Sequence, residues 1–143
     1  MTAEKYLSQA RHLEQHIDAK LGQVASLNDL ATKCTAVMSG MPHSPNHGTS
    51  TMADTVCKIV DLQEEIKRDI EQMLELKKEI LAVIKSVQEI EYQILLEKRY
   101  LCYCTWEQIS LEMNYSEKWV RTLHSRALDA VARVLREKYR KVP

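Results

Sequence analysis

Apolar residues recur along most of the chain three and four positions apart, the spacing of one helical face, and the lapses in that spacing mark where elements end. Residues 3 to about 38 carry the first repeat, at Tyr6, Ala10, Leu13, Ile17, Val24, Leu27, Ala31, Cys34 and Met38. Lys20 stands at the one position where it lapses, with Leu21 beside it. Gly22 weakens the helix there, so the pattern fits one kinked helix or two shorter ones. So long and thinly apolar a helix needs a partner.

Residues 39–51, SGMPHSPNHGTST, place two Pro and two Gly among polar residues and are expected to form a flexible linker. They lack the order and the Lys of a phosphate-binding loop. Residues 52–89 hold the most regular pattern, a long amphipathic oligomerisation helix. Ile59, Leu62, Ile66, Met73, Leu76, Ile80, Val83 and Val87 keep an alternating spacing that runs on through Ile90 and Ile94. Asp69 is its polar break, able to set register, to pair with a Lys of another helix, or to face water. About five heptads of this kind signal a coiled coil or helical hairpin. Val56, Val60, Ile70, Leu74, Leu81 and Ile84 widen the apolar face beyond a two-stranded seam, which favours an antiparallel pair within the chain that also buries surface between subunits. Glu64, Glu65, Glu71, Glu75 and Glu79 interleave with Lys67, Arg68, Lys77 and Lys78 as a solvated face.

The helical phase is expected to break near 86–91, and 90–143 form a C-terminal domain. Thr105 can cap a short helix with Trp106, Ile109 and Met113 inward, and Gln108 stands where its side chain can reach back to Thr105. Asn114 tolerates the left-handed conformation of a sharp corner. Ser116 then caps a second helix with Trp119, Val120, Leu123, Ala127, Leu128 and Val131 on its apolar face. Leu96, Tyr100, Trp106, Ile109, Met113, Trp119, Val120, Leu123 and Leu128 are the expected core, with Tyr115 exposed in the turn and both Trp residues inward rather than serving as base-stacking platforms. Glu117, Lys118, Arg121, Thr122, Ser125 and His124 fall off the apolar stripe. The pattern fits a helix-turn-helix ready for a DNA groove, and equally a helical hairpin with a solvated face.

Together with the preceding YQILLEKRYL, this segment resembles region 4 of bacterial sigma factors and the related phage regulators. The resemblance is carried by Leu96, Arg99, Tyr100, Thr105, Glu107, Ile109, Ser110, Met113, Ser116, Val120, Arg126, Ala127 and Leu128, with Asn114 where Gly is common in that family. The whole chain, through its helical N-terminal part, the SGMP linker and MADTVCKIVDLQEEI, is also similar to small phage and prophage proteins of Gram-positive bacteria, some of them treated as late-gene transcriptional regulators. The resemblance implies duplex DNA as a partner and RNA polymerase as a further one. No second part resembling a promoter-melting domain is evident, so an autonomous sigma factor is not expected.

Composition narrows the classes. The absence of Phe, with only three Gly and three Pro, fits an all-α protein. No apolar run spans a bilayer and the N-terminus is charged, so a soluble protein of the bacterial cytoplasm, away from membranes, is expected. The net charge is zero, yet residues 115–143 carry eight Lys/Arg against three Asp/Glu, the footprint of phosphate binding or a solvated helix end. Cys102 and Cys104 are too close for the usual zinc pairing, and His43 and His47 with Cys34 or Cys57 make a poor ligand set. Reduced, partly buried thiols, no metal and no cofactor are expected. Ser125 beside His124 points to another side of the helix and has no third group, so no enzyme is expected.

These readings converge on a DNA-binding transcriptional regulator, dimeric or tetrameric through Ile59, Leu62, Ile66, Met73, Leu76, Ile80 and Val83. Lys118, Arg121 and Thr122 are the base-reading candidates, with Ser125 on the same outward face and Ser116 turning its helix N-terminus toward phosphate. Arg126, Arg133 and Lys138 add electrostatic contacts, Arg126 alternatively a structural ion pair, and Arg99 approaches the backbone from the preceding helix. The alternatives are a phage DNA-packaging or structural protein, and a protein-interaction module that keeps the helix-turn-helix fold without DNA.

Overall fold

The computed structural model describes residues 1–38 and 45–140, with side chains outside 34–51. Among them every regular element is helical: α1 (Ala3–Met38), α2 (Pro45–Lys85), α3 (Ile90–Leu96), α4 (Trp106–Met113) and α5 (Glu117–Arg140). None is long and apolar enough to cross a membrane. The chain divides into two units, one of Met1–Leu13 with Met73–Pro143 and the other of Glu14–Gln72. Residues 1–13 and 73–89, read from the pattern as arm and oligomerisation helix, thus belong to the unit that holds 90–143.

Two expectations about helix breaks are corrected. Gly22 does not divide α1, which is one continuous element rather than two shorter helices; a Cβ there would meet nothing within 4 Å, so the residue marks no close approach. Helix α2 begins at Pro45, inside the expected linker. Proline suits a first helical turn, where its missing N–H would have had no intrahelical acceptor. Residues 39–44 of the expected linker, and the Cys34 and His43/His47 side chains weighed as metal ligands, lie outside the described residues.

In the Glu14–Gln72 unit the two polar lapses of the two apolar repeats find each other. Lys20 on α1 donates to Asp69 on α2 at 2.6 Å, with Glu65 3.4 Å away. The hydrogen bond to Asp69, ahead of other causes, raises the Lys20 ammonium above its ordinary pKa. Both side chains are largely shielded, so either alone would leave a poorly solvated charge facing apolar neighbours. Ile17 and Ile66 are buried in the same unit.

The larger unit has one core. Tyr6, Leu7 and Ala10 of α1 join Ile80, Val83 and Ile84 of α2, then Val87, Leu95, Leu96, Tyr100, Ile109, Val120, Leu123, Ala127 and Val131. Ile80 and Val83, expected at a subunit seam, are instead buried in the chain's own core, in one cluster with Tyr6, Leu7 and Ala10 of α1 and residues of the later helices. Of the other assigned oligomerisation residues, Ile66 is buried and Ile59, Leu62, Met73 and Leu76 are half-buried. Periodicity identifies a covered face without saying which chain covers it.

Between α2 and α3 the helical phase is reset. The amide of Ser86 bonds the carbonyls of Ala82 and Val83, that of Val87 bonds Ile84, and α3 restarts at Ile90. The Gln93 side chain donates back to the Val87 carbonyl, satisfying an acceptor that the helix end leaves free. Ile90 and Ile94, which extend the heptad pattern in sequence, consequently stand exposed rather than on the buried face.

Candidate functional site

The site grows out of the corner between α4 and α5 and is held by local chemistry. Thr105 caps α4 reciprocally: the Gln108 amide donates to Thr105 Oγ1 at 3.1 Å and the Thr105 amide donates to Gln108 Oε1 at 2.9 Å. At the other end Asn114 is left-handed, with φ 58° and ψ 39°. The amides of Asn114 and Tyr115 both bond the Ser110 carbonyl, and Ser110 Oγ donates to the Tyr115 carbonyl. The Trp119 amide then donates to Ser116 Oγ at 3.2 Å, starting α5. Both caps and the left-handed corner are where the sequence places them.

Ahead of this corner lies a feature the sequence does not announce. Helix α3 widens at Glu97–Leu101 into a π-type turn, in which the Cys102 amide bonds the Glu97 carbonyl five residues back. Tyr103 follows at φ 58°, a conformation costly for an aromatic residue. Its ring lies 5.8 Å from the Arg11 guanidinium and 5.3 Å from the Lys77 ammonium, which offsets some of that strain.

The widened turn directs Arg99 inward. Its guanidinium donates to the Cys104 carbonyl at 3.0 Å and lies 4.3 Å from the Trp106 ring centre, so this phosphate candidate is engaged in holding the α3–α4 connection. Lys98 bonds Glu112 across the same connection. That hydrogen bond, first among its causes, raises the Lys98 ammonium above its ordinary pKa. Cys57 and Cys102 are exposed free thiols and Cys104 is half-buried, so the expectation of partly buried thiols holds for Cys104 alone of these three. Among the described residues no group of His, Cys, Asp and Glu is arranged to hold a metal.

His124 is turned into the same cluster rather than off the apolar face. Its Nε2 is 2.6 Å from the Tyr100 hydroxyl, its ring stacks on Tyr100, and the Trp106 ring meets it edge-on at 4.6 Å. Burial lowers the imidazole pKa, opposed by Glu4 and assisted by Arg99. Burial likewise pushes Tyr100 up to about 12. A neutral phenol therefore meets a neutral imidazole, and the imidazole tautomer sets which of the two donates.

The consequence for stability has a definite sign. With the folded pKa below the ordinary value of about 6.5, the unfolded chain takes up a proton that the folded chain resists. Stability is full above that range and falls as pH drops through it toward the lowered folded pKa. Between pH 8 and pH 5.5 the urea midpoint should fall further for the wild type than for His124→Gln, whose amide offers Tyr100 either a donor or an acceptor. Equal losses in the two proteins would rule out His124 as the source.

On α5 the buried line runs through Val120, Leu123, Ala127, Val131 and Leu135. Lys118, Arg121, Ser125 and Arg126 are exposed, and Thr122 is half-buried with its hydroxyl donating to the Lys118 carbonyl. Ser116 is exposed with its Oγ occupied by the cap. Helical spacing brings Lys118, Arg121, Thr122 and Ser125 onto neighbouring turns of the outward half of the helix. Arg133 and Lys138 are also exposed but lie far along the axis; seventeen residues from Ser116 to Arg133 span about 25 Å.

Two aromatic assignments are reversed. Trp119, expected in the core, is 39% exposed, with the Arg126 guanidinium 5.3 Å from its ring centre. Tyr115, expected outside, is half-buried and donates its hydroxyl to Glu91 at 2.6 Å. Trp119 occupies a flank of α5 where the core has already been closed by Val120 and Leu123. Tyr115 packs its ring against the core while its hydroxyl reaches Glu91 of α3 at the surface. Comparison of the chain with protein-family models, with curated proteins and with solved structures finds no match.

Proposed function

We propose that the chain is a sequence-specific DNA-binding transcriptional regulator that acts as a homo-oligomer, with α4 and α5 forming a helix-turn-helix and the first half of α5 entering the major groove. The observation that carries this reading is the capped α4, left-handed Asn114, capped α5 arrangement, with one side of α5 buried and Lys118, Arg121 and Ser125 left to solvent on the other. Arg121 can present a bidentate fork to guanine, and Lys118 a cation to a base edge or phosphate. Thr122 donates its hydroxyl to the Lys118 carbonyl and keeps its oxygen lone pairs to accept from a base and its methyl for an apolar contact. A groove is about 12 Å wide, so Arg133 and Lys138 act through their field rather than by base contact, and salt screens that field. A phage origin and a contact with RNA polymerase rest on the family resemblance alone.

The oligomer is assigned to α2 through the widened part of its apolar face rather than through the Ile59–Val83 seam. Val60 and Ile70 are exposed, as are Gln63 and Lys67 between them. These four positions are placed symmetrically along the helix, so an antiparallel second copy would set Val60 against its Ile70 and Gln63 against its Lys67. Such self-complementarity is what a two-fold interface requires.

Selection of duplexes from genomic and randomised DNA at two salt concentrations tests both parts. One enriched motif is expected, in two half-sites, with Arg121→Ala weakening it by about ten-fold. A chain carrying Val60→Glu and Ile70→Glu should enrich a single half-site. Salt-sensitive binding with no motif reduces the reading to a generic DNA contact, and a folded oligomer that binds no DNA overturns it.

A further inference from the structure

The indole of Trp119 is the largest apolar group left on the part of α5 that carries Lys118, Arg121 and Arg126. A singly exposed apolar side chain is commonplace and by itself calls for no ligand. Here, however, its neighbours are cations. From residue 117 to 126 the only acid is Glu117, and Arg126 is stacked on the indole itself. Trp119 also sits within the first turn, fixed by its amide's bond to the Ser116 cap, at the end of a recognition helix that reaches deepest into a groove. Trp119, Arg126, Arg133 and Arg140 recur every seven residues, which on a helix is one flank drifting by about 20° per repeat. One ridge therefore starts in an aromatic ring and continues in guanidinium groups.

A polyanion suits the cations, and the ring selects which one. The major groove of DNA offers one apolar feature, the C5-methyl of thymine, and the indole has the breadth to cover it. Extending the proposed DNA-binding reading on which this rests, we infer that Trp119 is a specificity-determining residue that packs against a thymine methyl, while the Arg126 stacked on it faces the adjoining phosphate. The charge of this surface favours nucleic acid over a protein partner, whose contact would be expected to surround the aromatic anchor with apolar groups.

The test uses the full chain and the duplex obtained by selection, with each thymine replaced in turn by deoxyuridine, which lacks only the methyl. At one position the wild type should lose affinity roughly four-fold, as removal of a buried methyl predicts. Trp119→Ala should bind at least about five-fold more weakly and be indifferent to the same replacement, with Trp119→Phe intermediate. The exposed starting position makes these variants foldable, and wild-type chain labelled with 5-fluorotryptophan should independently show the Trp119 fluorine signal shifting on DNA addition. Unchanged affinity in Trp119→Ala, or an undiminished response to deoxyuridine at every position, overturns the inference. If Arg121→Ala still weakens binding in that case, the DNA-binding reading stands without it. If the wild type selects no duplex, both fall. Should Trp119→Ala alter only the sedimentation of the oligomer, the ring covers protein and the inference is likewise overturned.

Discussion

Leu96→Ala should destabilise the folded chain by about 2–5 kcal/mol, a loss read as a lowered urea or thermal midpoint. Leu96 is fully buried at the end of α3, immediately before the π-type turn, and belongs to the core that joins α1, α2, α3, α4 and α5 in the larger unit. Truncation removes the transfer free energy of the lost carbons and leaves a cavity that rigid neighbours fill only in part. Two positions earlier, Ile94 is 39% exposed, so Ile94→Ala should cost far less. The contrast matters because the heptad pattern treats Ile94 as a seam residue. Domain stabilities are of the order of 5–15 kcal/mol, so the Leu96 loss would take a large share of the total. A Leu96→Ala protein no less stable than Ile94→Ala would mean that the phase reset at Ser86–Glu89 is misplaced.

Local signals were the most legible part of the chain. The Thr105 and Gln108 box, the Ser116 cap and the left-handed Asn114 each depend on residues within four positions of one another, so short sequence windows contain all the relevant chemistry. The lapses at Lys20 and Asp69 were equally visible as lapses. That they pair could be raised only as one option, since pairing depends on how two helices align.

Burial was harder to read where several partners compete for one face. Ile80 and Val83 show the right period for a subunit seam, yet Tyr6, Leu7 and Ala10 of the same chain join them in the core. Trp119 shows the complementary failure. It lies on the flank of α5, where the width of the covered stripe decides between core and surface, and periodicity gives the direction of a stripe better than its width. The π-type turn left no trace in the pattern because it inserts no Gly or Pro, although it turns Arg99 from a phosphate candidate into a brace between Trp106 and the Cys104 carbonyl.

Asn114→Val should lower stability by about 1–3 kcal/mol, since a β-branched residue is forced into a left-handed conformation that even Asn adopts at some cost. The side chain is exposed, so packing supplies no compensation and the effect isolates the backbone. Asn114→Gly gives the opposing comparison. Glycine removes the left-handed strain but gains freedom in the unfolded chain, and the two terms nearly offset, leaving a change within about 1 kcal/mol. Urea unfolding of the three proteins should therefore rank Gly close to wild type and Val well below both. The same order should appear in DNA affinity measured at a temperature where all three are folded. Asn114 lies at the corner between α4 and α5, and a relaxed corner would displace Lys118 and Arg121 from the groove they are proposed to enter even though neither residue is changed. A Val variant with wild-type stability would show that the corner tolerates right-handed backbone. One with reduced stability but undiminished DNA affinity would show that α5 reaches the duplex without depending on the corner that presents it.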